Sequence, residues 1–534
     1  MSNTFFDKSK DIANEYIQSI VFLDDRAYKN TDGEDTNHDF DVSAITKVFA
    51  KENKICAAYK PESEEDIESF ILIADKSDIV VLDWQIQFTK PIVSGSEEED
   101  EPDDPRGYYT KKVIESILFD KREPKNSLKL IIVYTGDFTG LKDISDDIYT
   151  NVFKSSTDFN FNIENHCIES PQIKVLIRAK HVPIGFEHNK DIYEKNMVSY
   201  EDLPAFVINE FALMTSGLLS NFLLLSLITL RQNSSKILGV FSKDLDPAFL
   251  GHKAIIPKQE DAEDLLVELF GDTVKDLLYY EEINRKIREN LINHWVDDNI
   301  VEEDFKYSKK IFKKTKTILK NFLFTNEEDI KTRFNTLLKG VDGQVKNYLQ
   351  ANPTKLYTNN TEIDKTLEKD KSFAKLTHHK SLFIPRNISP RLSLGTLIKS
   401  TTEEIYYICI QQKCDSVRIP KDAERKFLFI PLKRASSNKF DLITDNGIEL
   451  KKDNSSYSIR TIKFICTNDM GVILAEEEHG KFIFKQKYSD TDDEQFEWVL
   501  DLKDLHSQRI VTDYASKLSR VGLNESEWHR RFLS

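Results

Sequence analysis

The chain has 534 residues, of which 40% are hydrophobic and 31% are charged, a composition typical of globular proteins with buried cores. At this length we expect three or four domains rather than one core. The formal charge of −16 argues against a sequence-independent nucleic-acid binder, which needs a broad basic surface.

The cysteines and the N-terminus indicate the compartment. A sparse, odd number of cysteines suits a reducing cytoplasm, and no second pair accompanies Cys409 and Cys414 to form a zinc site. The first residues, MSNTFFDKSKDIANEY, lack the apolar core of a signal peptide. We therefore expect a cytoplasmic protein.

Residues 1 to about 190 alternate apolar strand-like runs with helical patterns. This alternation predicts a doubly wound, parallel α/β sheet of five strands, and the uniformly apolar runs are typical of strands covered on both faces. Two polar stretches, 94–106 and about 155–172, are expected to be insertions, the first of them strongly acidic. The predicted strands are 20–23, 55–59, 79–82, 128–134 and 174–177.

The rest of the chain changes pattern twice. Helical periodicity dominates from about 200 to 345, whereas short alternating runs separated by turn residues predict antiparallel strands from about 380 to 500, followed by a helical tail. We predict a multidomain protein with these limits: an α/β domain at 1–195, an all-α domain at 196–350, a linker at 351–375, and a mainly antiparallel β domain with a C-terminal helix at 376–534.

The uncharged stretch 212–230 raises the question of a membrane span. Its nineteen residues reach the length that a spanning helix needs. It contains six Ser, Thr and Asn residues, however, and Glu210 and Arg231 lie at its ends. We therefore expect a buried helix of the all-α domain, and no membrane contact.

Polar residues follow four of the apolar runs at the predicted carboxyl ends of the strands. Because these ends meet at one edge of a parallel sheet, the side chains should lie together. Each residue alone would be read as a helix cap, a turn former or a solvated lysine; the order in which they occur along the chain argues for a site. They are Asp24 and Asp25, then Asp83, Thr135 and Lys180.

This set of side chains suits phosphoryl transfer. Such a transfer needs a nucleophile, a cation that offsets the charge of the phosphoryl oxygens, and hydrogen-bond donors to those oxygens. Asp83 is the predicted phosphoacceptor, while the Thr135 hydroxyl and the Lys180 ammonium are the donors. Mg²⁺ is the predicted cofactor, since it prefers hard oxygen ligands. Its predicted ligands are Asp24, Asp25, Asp83 and the backbone carbonyl of Gln85.

The strings FLDDRAY, VVLDW, IVYTG and RAKHVP, taken in this order, resemble the receiver domain of two-component response regulators. The resemblance implies that Asp24 and Asp25 bind Mg²⁺, that Asp83 accepts phosphate from a histidine kinase, and that Thr135 and Lys180 contact the phosphoryl group. This sequence departs from a compact receiver in its longer intervals and in the acidic insertion that follows Asp83.

The remaining two thirds are similar to the long receiver-bearing proteins of bacterial phage-defence phosphorelay operons of the Detocs type. The strings that carry this similarity are TSGLLSNFLLLSLITLR, FSKDLDPAFLGHKAIIP, RLSLGTLIKS and YYICIQQKCDSVRI. The similarity implies a phosphate sink or regulator without an effector of its own. It also implies a histidine kinase and a receiver-linked effector protein as partners, and no enzyme activity beyond the receiver's own phosphorylation and dephosphorylation.

Other function classes remain to be weighed. A receiver-like scaffold that binds partner proteins without phosphorylation is the main alternative. A haloacid dehalogenase phosphatase needs two acids separated by one residue, whereas Asp24 and Asp25 are adjacent and Arg26 follows; a nuclease would want an acid where Gln85 stands. A DNA-binding regulator is disfavoured by the net charge.

Four further features are assigned structural roles. Seven lysines between 306 and 320 predict an amphipathic helix with a solvated cationic face. His378 and His379 are expected in a loop, and His294 is expected to pack or cap on its helix. Cys414 has no nearby histidine base, so a nucleophilic thiol is not expected.

Overall fold

The computed structural model describes residues 4–28, 40–88, 106–120, 123–125, 127–137, 139–180, 195–257, 259, 261–380, 389–435, 440–453, 458–485 and 494–518. The chain divides into two compact units, Met1–Ile300 and Val301–Ser534, here called the first and second unit. This division does not coincide with the four sequence-based ranges, whose limits therefore stay predictions.

A seven-stranded sheet forms the centre of the first unit. Its strand order is β2-β1-β3-β6-β9-β8-β7, and the five strands from β2 to β9 pair in parallel. The predicted parallel α/β sheet is thus confirmed. The strands of this unit are β1 Ser19–Leu23, β2 Ile55–Tyr59, β3 Ile79–Leu82, the hairpin β4 Phe119–Asp120 and β5 Glu123–Pro124, β6 Lys129–Thr135, β7 Asn160–Asn162, β8 Cys167–Glu169 and β9 Ile173–Ala179.

The last two strands of this sheet correct a prediction. The stretch 155–172, expected to be an insertion, contains β7 and β8, which pair antiparallel and extend the sheet beside β9. Each has three residues, and only Cys167 and Ile168 are buried, so their alternation is too short to detect. The acidic stretch 94–106 lies outside the described residues except for Arg106.

Helices cover both faces of the sheet, which explains the uniformly apolar strands. Val21 and Leu23 of β1 face one core, while Ile20 and Phe22 face the other. Polar N-caps begin three of the helices: Thr4, Asp41 and Ser63 accept hydrogen bonds from the first turn. The helices around the sheet are α1 Phe5–Tyr16, α2 Val42–Lys51, α3 Glu64–Lys76, α4 Tyr108–Leu118 and α5 Leu141–Ile148, the last continued by a π-helical turn at Tyr149–Phe153.

A run of helices completes the first unit, as predicted for the middle of the chain. The stretch 212–230 is split at Gly217, whose extended backbone separates two helices, and buried Asn221 donates to Ser9 of α1 over 2.9 Å. In the described part of the chain no helix has the length and apolarity to span a bilayer. These helices are Leu203–Thr215, Leu218–Val240, Asp246–Ile255, Asp261–Tyr280, Ile283–Asn290 and Ile292–Asn299, with a 3₁₀ turn at Lys243–Leu245.

The second unit is built on a nine-stranded antiparallel sheet, which confirms the predicted C-terminal β structure. Its order is β15-β16-β14-β13-β12-β20-β19-β18, with β17 also paired to β14. A separate hairpin, β10–β11, precedes it. The strands are β10 Glu303–Tyr307, β11 Lys310–Lys314, β12 Thr396–Ser400, β13 Tyr406–Cys409, β14 Glu424–Arg434, β15 Leu442–Ile443, β16 Glu449–Lys452, β17 Arg460–Ile465, β18 Glu476–Glu478, β19 Lys481–Lys485 and β20 Gln495–Asp501.

Several helices accompany these strands. Two 3₁₀ turns and a helix occupy most of the stretch 351–375, which differs from the predicted linker. The helices of this unit are Lys316–Phe324, Ile330–Leu337, Gly343–Ala351, Thr366–His378 and Asp504–Leu518, and the 3₁₀ turns are Pro353–Tyr357, Asn360–Lys365 and Lys413–Ser416.

The lysine-rich segment 306–320 is not the predicted helix. Most of it forms the β10–β11 hairpin, in which Phe305 and Phe312 are directly paired and buried. Lys314 is fully buried and donates to Glu303 over 2.9 Å, so it is not part of a solvated face. The less exposed residues repeat every second position, but they include Lys310 and Lys314, whereas the apolar Ile311 is on the exposed face, so the period is hidden in the sequence.

The histidine pair 378–379 is not in a loop. His379 is buried, with Nε2 2.8 Å from the Ile443 carbonyl oxygen and Nδ1 2.9 Å from Asp445 Oδ1. The ring of His378 stacks on that of His506, with centroids 3.8 Å apart. Burial is the largest cause that lowers the pKa of both stacked histidines, that of His506 to about 4.

The stacked histidines predict that stability falls in acid. Because the folded-state pKa of each is lowered, their contribution is present above the ordinary histidine pKa and is lost as the pH falls through the folded-state value. We expect His506→Phe, which keeps the ring but cannot be protonated, to reduce the loss of stability between pH 7 and pH 4.5. In the unaltered chain, each such histidine lowers the free energy of unfolding by up to about 1.4 kcal/mol per pH unit.

Calorimetric unfolding of the full chain across this pH range measures the effect. His252→Gln, at an exposed histidine of the first unit, is the matched control and should leave the pH dependence unchanged. An unaltered pH dependence in His506→Phe would contradict the prediction.

Candidate functional site

The predicted site residues follow four neighbouring strands, and the parallel register brings those strands to a common edge. Leu23 is level with Leu82, and Leu82 is level with Val133. Backbone hydrogen bonds continue past the strand ends: Asp83 N donates to Leu23 O over 2.8 Å, and Lys180 N donates to Thr135 O over 2.8 Å. Asp24, Asp83, Thr135 and Lys180 are therefore held at one edge of the sheet.

The Lys180 ammonium links the carboxyl ends of the neighbouring strands β1 and β3. Its Nζ lies 2.5 Å from Asp24 Oδ2 and 2.7 Å from Asp83 Oδ1. None of these three residues is more than 8% exposed. Because charge-assisted hydrogen bonds between buried groups are strong and directional, this contact fixes all three side chains.

Burial and neighbouring charges shift the pKa values of both Asp83 and Lys180. Burial raises the pKa of Asp83 to about 6, the Lys180 ammonium opposes this rise, and the neighbouring carboxylates of Asp24 and Asp25 add to it. For Lys180, burial lowers the pKa, but Asp83 and Asp24 outweigh burial and raise it overall. At neutral pH the main form is therefore a carboxylate beside an ammonium.

Asp83 is also held from its other side. Its Oδ2 accepts a hydrogen bond from Gln85 N over 2.9 Å. Its backbone carbonyl accepts one from the Thr110 hydroxyl over 2.6 Å, which attaches the first turn of α4 to the end of β3. The carboxylate is thus oriented both by the loop that follows β3 and by Lys180.

A polar pocket opens at this edge of the sheet. Four predicted residues line it, Asp25, Asp83, Thr135 and Lys180, together with Gln85, whose backbone carbonyl was the predicted metal ligand. Asp24 is not among the lining residues. Its Oδ2 is bound by Lys180, and its Oδ1 accepts from Arg26 N over 2.8 Å.

Three lining residues were missed by the sequence analysis: Arg26, Gln87 and Gly136. Gln87 N donates to Asp25 Oδ2 over 3.3 Å. Arg26 and Gly136 directly follow the predicted site residues Asp25 and Thr135, so their positions next to the strand ends were a signal that could have identified them. Gln87 offers no such signal, because only the course of the loop after β3 brings it back to Asp25.

The donor set fits a Mg²⁺ ion in part. Asp25 and Asp83 present carboxylate oxygens to the pocket, and hard oxygens are what Mg²⁺ prefers. Within the described ranges, however, no group of three or more His, Cys, Asp or Glu residues is arranged to hold a metal. The Lys180 ammonium lies between Asp24 and Asp83, which keeps the three carboxylates from converging on a common point. Asp25 and Asp83 are therefore the better-placed candidate ligands.

The region of the candidate site is similar to a known protein family. Residues 16–182 match the family model described as a response receiver domain, and this span includes every predicted site residue. No curated protein and no solved structure gives a significant match to the chain. The match supports a receiver domain in the N-terminal third, and hence a two-component-type regulator, a class that in general receives its phosphoryl group from a histidine kinase.

The loop beside Asp83 allows a test of how the site is held. Gly107, the N-cap of α4, has a φ of 74°, and a Cβ placed on it would lie 2.0 Å from Cη2 of Trp84. We expect Gly107→Ala to destabilise the first unit by about 2–4 kcal/mol, because it combines left-handed strain with displacement of a buried ring.

Chemical denaturation followed by tryptophan fluorescence measures this loss. Gly239→Ala is the matched control, since Gly239 lies in a helix with open space around it, and should be neutral or slightly stabilising. Equal free energies of unfolding for the two variants would show that the Trp84 ring does not require glycine at position 107.

Proposed function

We propose that the first unit is a Mg²⁺-dependent phosphoacceptor that receives a phosphoryl group from a histidine kinase on Asp83. The observation that carries this proposal is the buried contact of the Lys180 ammonium with Asp83 Oδ1 at 2.7 Å and Asp24 Oδ2 at 2.5 Å. It gives a receiver domain a nucleophilic carboxylate with a fixed cation beside it, in a pocket that also contains the Thr135 hydroxyl.

The chemistry of the transfer follows from these groups. A carboxylate oxygen of Asp83 attacks the phosphorus of a phosphohistidine; an O–P bond forms and the P–N bond breaks. The electron pair of that bond returns to the imidazole, which takes up a proton. Lys180 and Thr135 donate to the phosphoryl oxygens. Mg²⁺, when held by Asp25, Asp83 and the backbone carbonyl of Gln85, supplies further positive charge against these oxygens.

The protonation state of Asp83 supports this role. A pKa of about 6 leaves the carboxylate as the main form at neutral pH, which the nucleophile requires. The raised value also means that the carboxylate is less stabilised than an ordinary surface aspartate. The acyl phosphate carries more negative charge than the carboxylate it replaces, so the phosphorylated form requires the positive charges of Lys180 and Mg²⁺ beside it.

Phosphorylation by a small phosphodonor tests the proposal. The full chain, incubated with acetyl phosphate and Mg²⁺, should gain the mass of one phosphoryl group, and Asp83→Asn should lose that gain. Lys180→Met should lower the extent of labelling at least about tenfold, because a buried donor to the transferred group is gone. Asp75→Asn, at an exposed acid of α3, is the matched control and should label as the unaltered chain does.

A second candidate is a receiver-like scaffold that binds partners without phosphorylation. It is favoured by the contact of Lys180 with Asp24 Oδ2, because Asp24 does not line the pocket and only Asp25 and Asp83 remain there as carboxylate ligands for a metal. Labelling that is absent, or that persists in Asp83→Asn, together with no Mg²⁺-dependent binding of beryllofluoride, would favour the scaffold.

We further propose that the phosphoacceptor acts as a phosphate sink or regulator in a phage-defence phosphorelay. The similarity of its strings to receiver-bearing proteins of Detocs-type operons supports this role. In a reconstituted relay with a histidine kinase and a receiver-linked effector, adding the chain should lower the phosphorylated fraction of the effector. Asp83→Asn should have no such effect, and an equal effect of both chains would contradict the sink.

A further inference from the structure

An aromatic ring lies over the Lys180 ammonium, in addition to the two carboxylates that the ammonium contacts. The centroid of the Phe40 ring is 5.3 Å from Lys180 Nζ, and the two residues are buried, with exposed fractions of 6% and 5%. An ammonium at this distance from a ring face is attracted by the ring quadrupole, and the attraction is strongest where water is excluded. Phe40 is therefore a third partner of the ammonium, and an uncharged one.

The local sequence explains why a ring is held at this place. Phe40 directly precedes Asp41, whose side chain accepts a hydrogen bond from Ala44 N and caps α2. An apolar residue before such a cap commonly packs on the fourth residue of the helix, which is Ile45 here, and Phe40 and Ile45 belong to the same core. The start of α2 thus supplies an aromatic side chain to the residue that follows β9.

Two further aromatic rings pack on Phe40. The ring of Phe22 in β1 is 5.5 Å away, and the ring of Tyr200 is 6.3 Å away. Tyr200 is in turn hydrogen-bonded to the backbone of Asp41. Because side chains in a close-packed core interdigitate in fixed orientations, the Phe40 ring would have to disturb these contacts in order to turn away from the ammonium.

The ring differs from the carboxylates because it attracts an ammonium without accepting a directed hydrogen bond. Lys180 donates to Asp24 Oδ2 and to Asp83 Oδ1. In the proposed transfer Asp83 becomes an acyl phosphate, and Lys180 donates to a phosphoryl oxygen instead. The ammonium therefore changes partners inside a buried site, where an unpaired charge is costly. The contact with the ring is one that this exchange does not need to break.

We propose that Phe40 is a positioning residue for the phosphoryl transfer: its ring holds the Lys180 ammonium in the site while the ammonium passes from Asp83 to the phosphoryl group. This role rests on the proposed function, whereas the contact between ring and ammonium does not. Phe40 precedes α2 and does not line the pocket, so it acts on the reaction through Lys180 alone.

Fluorination of the ring tests the proposal with little change in ring size. The full chain is prepared with 4-fluoro-, 3,5-difluoro- or pentafluorophenylalanine at position 40, because each added fluorine weakens the attraction of the ring face for a cation. We expect the rate of labelling by acetyl phosphate and Mg²⁺ to fall step by step along this series, by at least about fivefold at its end.

The same series at position 49 is the matched control. Phe49 is fully buried in the same core and also packs on Phe22, with ring centroids 5.9 Å apart. In the described part of the chain, the ring over the Lys180 ammonium is that of Phe40. Fluorination of Phe49 should therefore change the labelling rate less than about twofold.

A second measurement detects the contact without a phosphodonor. In nuclear magnetic resonance of the full chain with isotope-labelled lysine side chains, the Lys180 ammonium signal is the one that disappears in Lys180→Met. Phe40→Leu should shift this signal, because the ring current acting on it is lost, whereas Phe49→Leu should leave it in place. The buried, hydrogen-bonded ammonium groups of Lys129 and Lys314 are internal references and should not shift.

The two measurements separate this proposal from the function on which it rests. Equal labelling rates along the series at position 40, an equal fall in both series, or a Lys180 signal that does not shift in Phe40→Leu would overturn the positioning role. Absence of labelling in the unaltered chain would instead refute the phosphoacceptor, and with it the positioning role. A shifted signal in Phe40→Leu would then still establish the contact between ring and ammonium.

Discussion

The first unit depends on one ammonium placed between two carboxylates. Lys180 follows β9, Asp24 follows β1 and Asp83 follows β3, so a single buried group connects three parts of the chain that are far apart in sequence. A buried charge is tolerated only when it is paired, so both carboxylates require the Lys180 ammonium, and the ammonium requires them. Because of this pairing, the residues that follow β1, β3 and β9 form one connected cluster at the edge of the sheet.

The sheet and its two cores supply the rigidity that this arrangement needs. Helices pack on both faces, and the parallel register fixes how far each strand extends at the common edge. The Thr110 hydroxyl at the start of α4 donates to the backbone carbonyl of Asp83, and Gln85 N donates to Oδ2, while Lys180 donates to Oδ1. A carboxylate held in this way loses little conformational entropy when it reacts, which suits the proposed phosphoryl transfer.

The first unit buries its apolar residues unevenly. The sheet of the first unit and the antiparallel sheet of the second are closed by well-buried side chains, whereas the helices Asp246–Ile255 and Asp261–Tyr280 leave theirs exposed. The first unit thus combines a buried cluster of paired charges with helices whose apolar side chains are exposed.

The parallel sheet and the set Asp24, Asp25, Asp83, Thr135 and Lys180 could be predicted from the sequence, because buried parallel strands are continuous apolar runs and the residues after them meet at one edge. The contact of Asp24 with Lys180 and the contact of Gln87 with Asp25 could not be predicted, because each depends on a partner distant in the chain. The burial of Lys314 also depends on a distant partner: besides its contact with Glu303 across the hairpin, its ammonium donates to the Thr358 carbonyl oxygen over 2.9 Å, which helical periodicity cannot reveal.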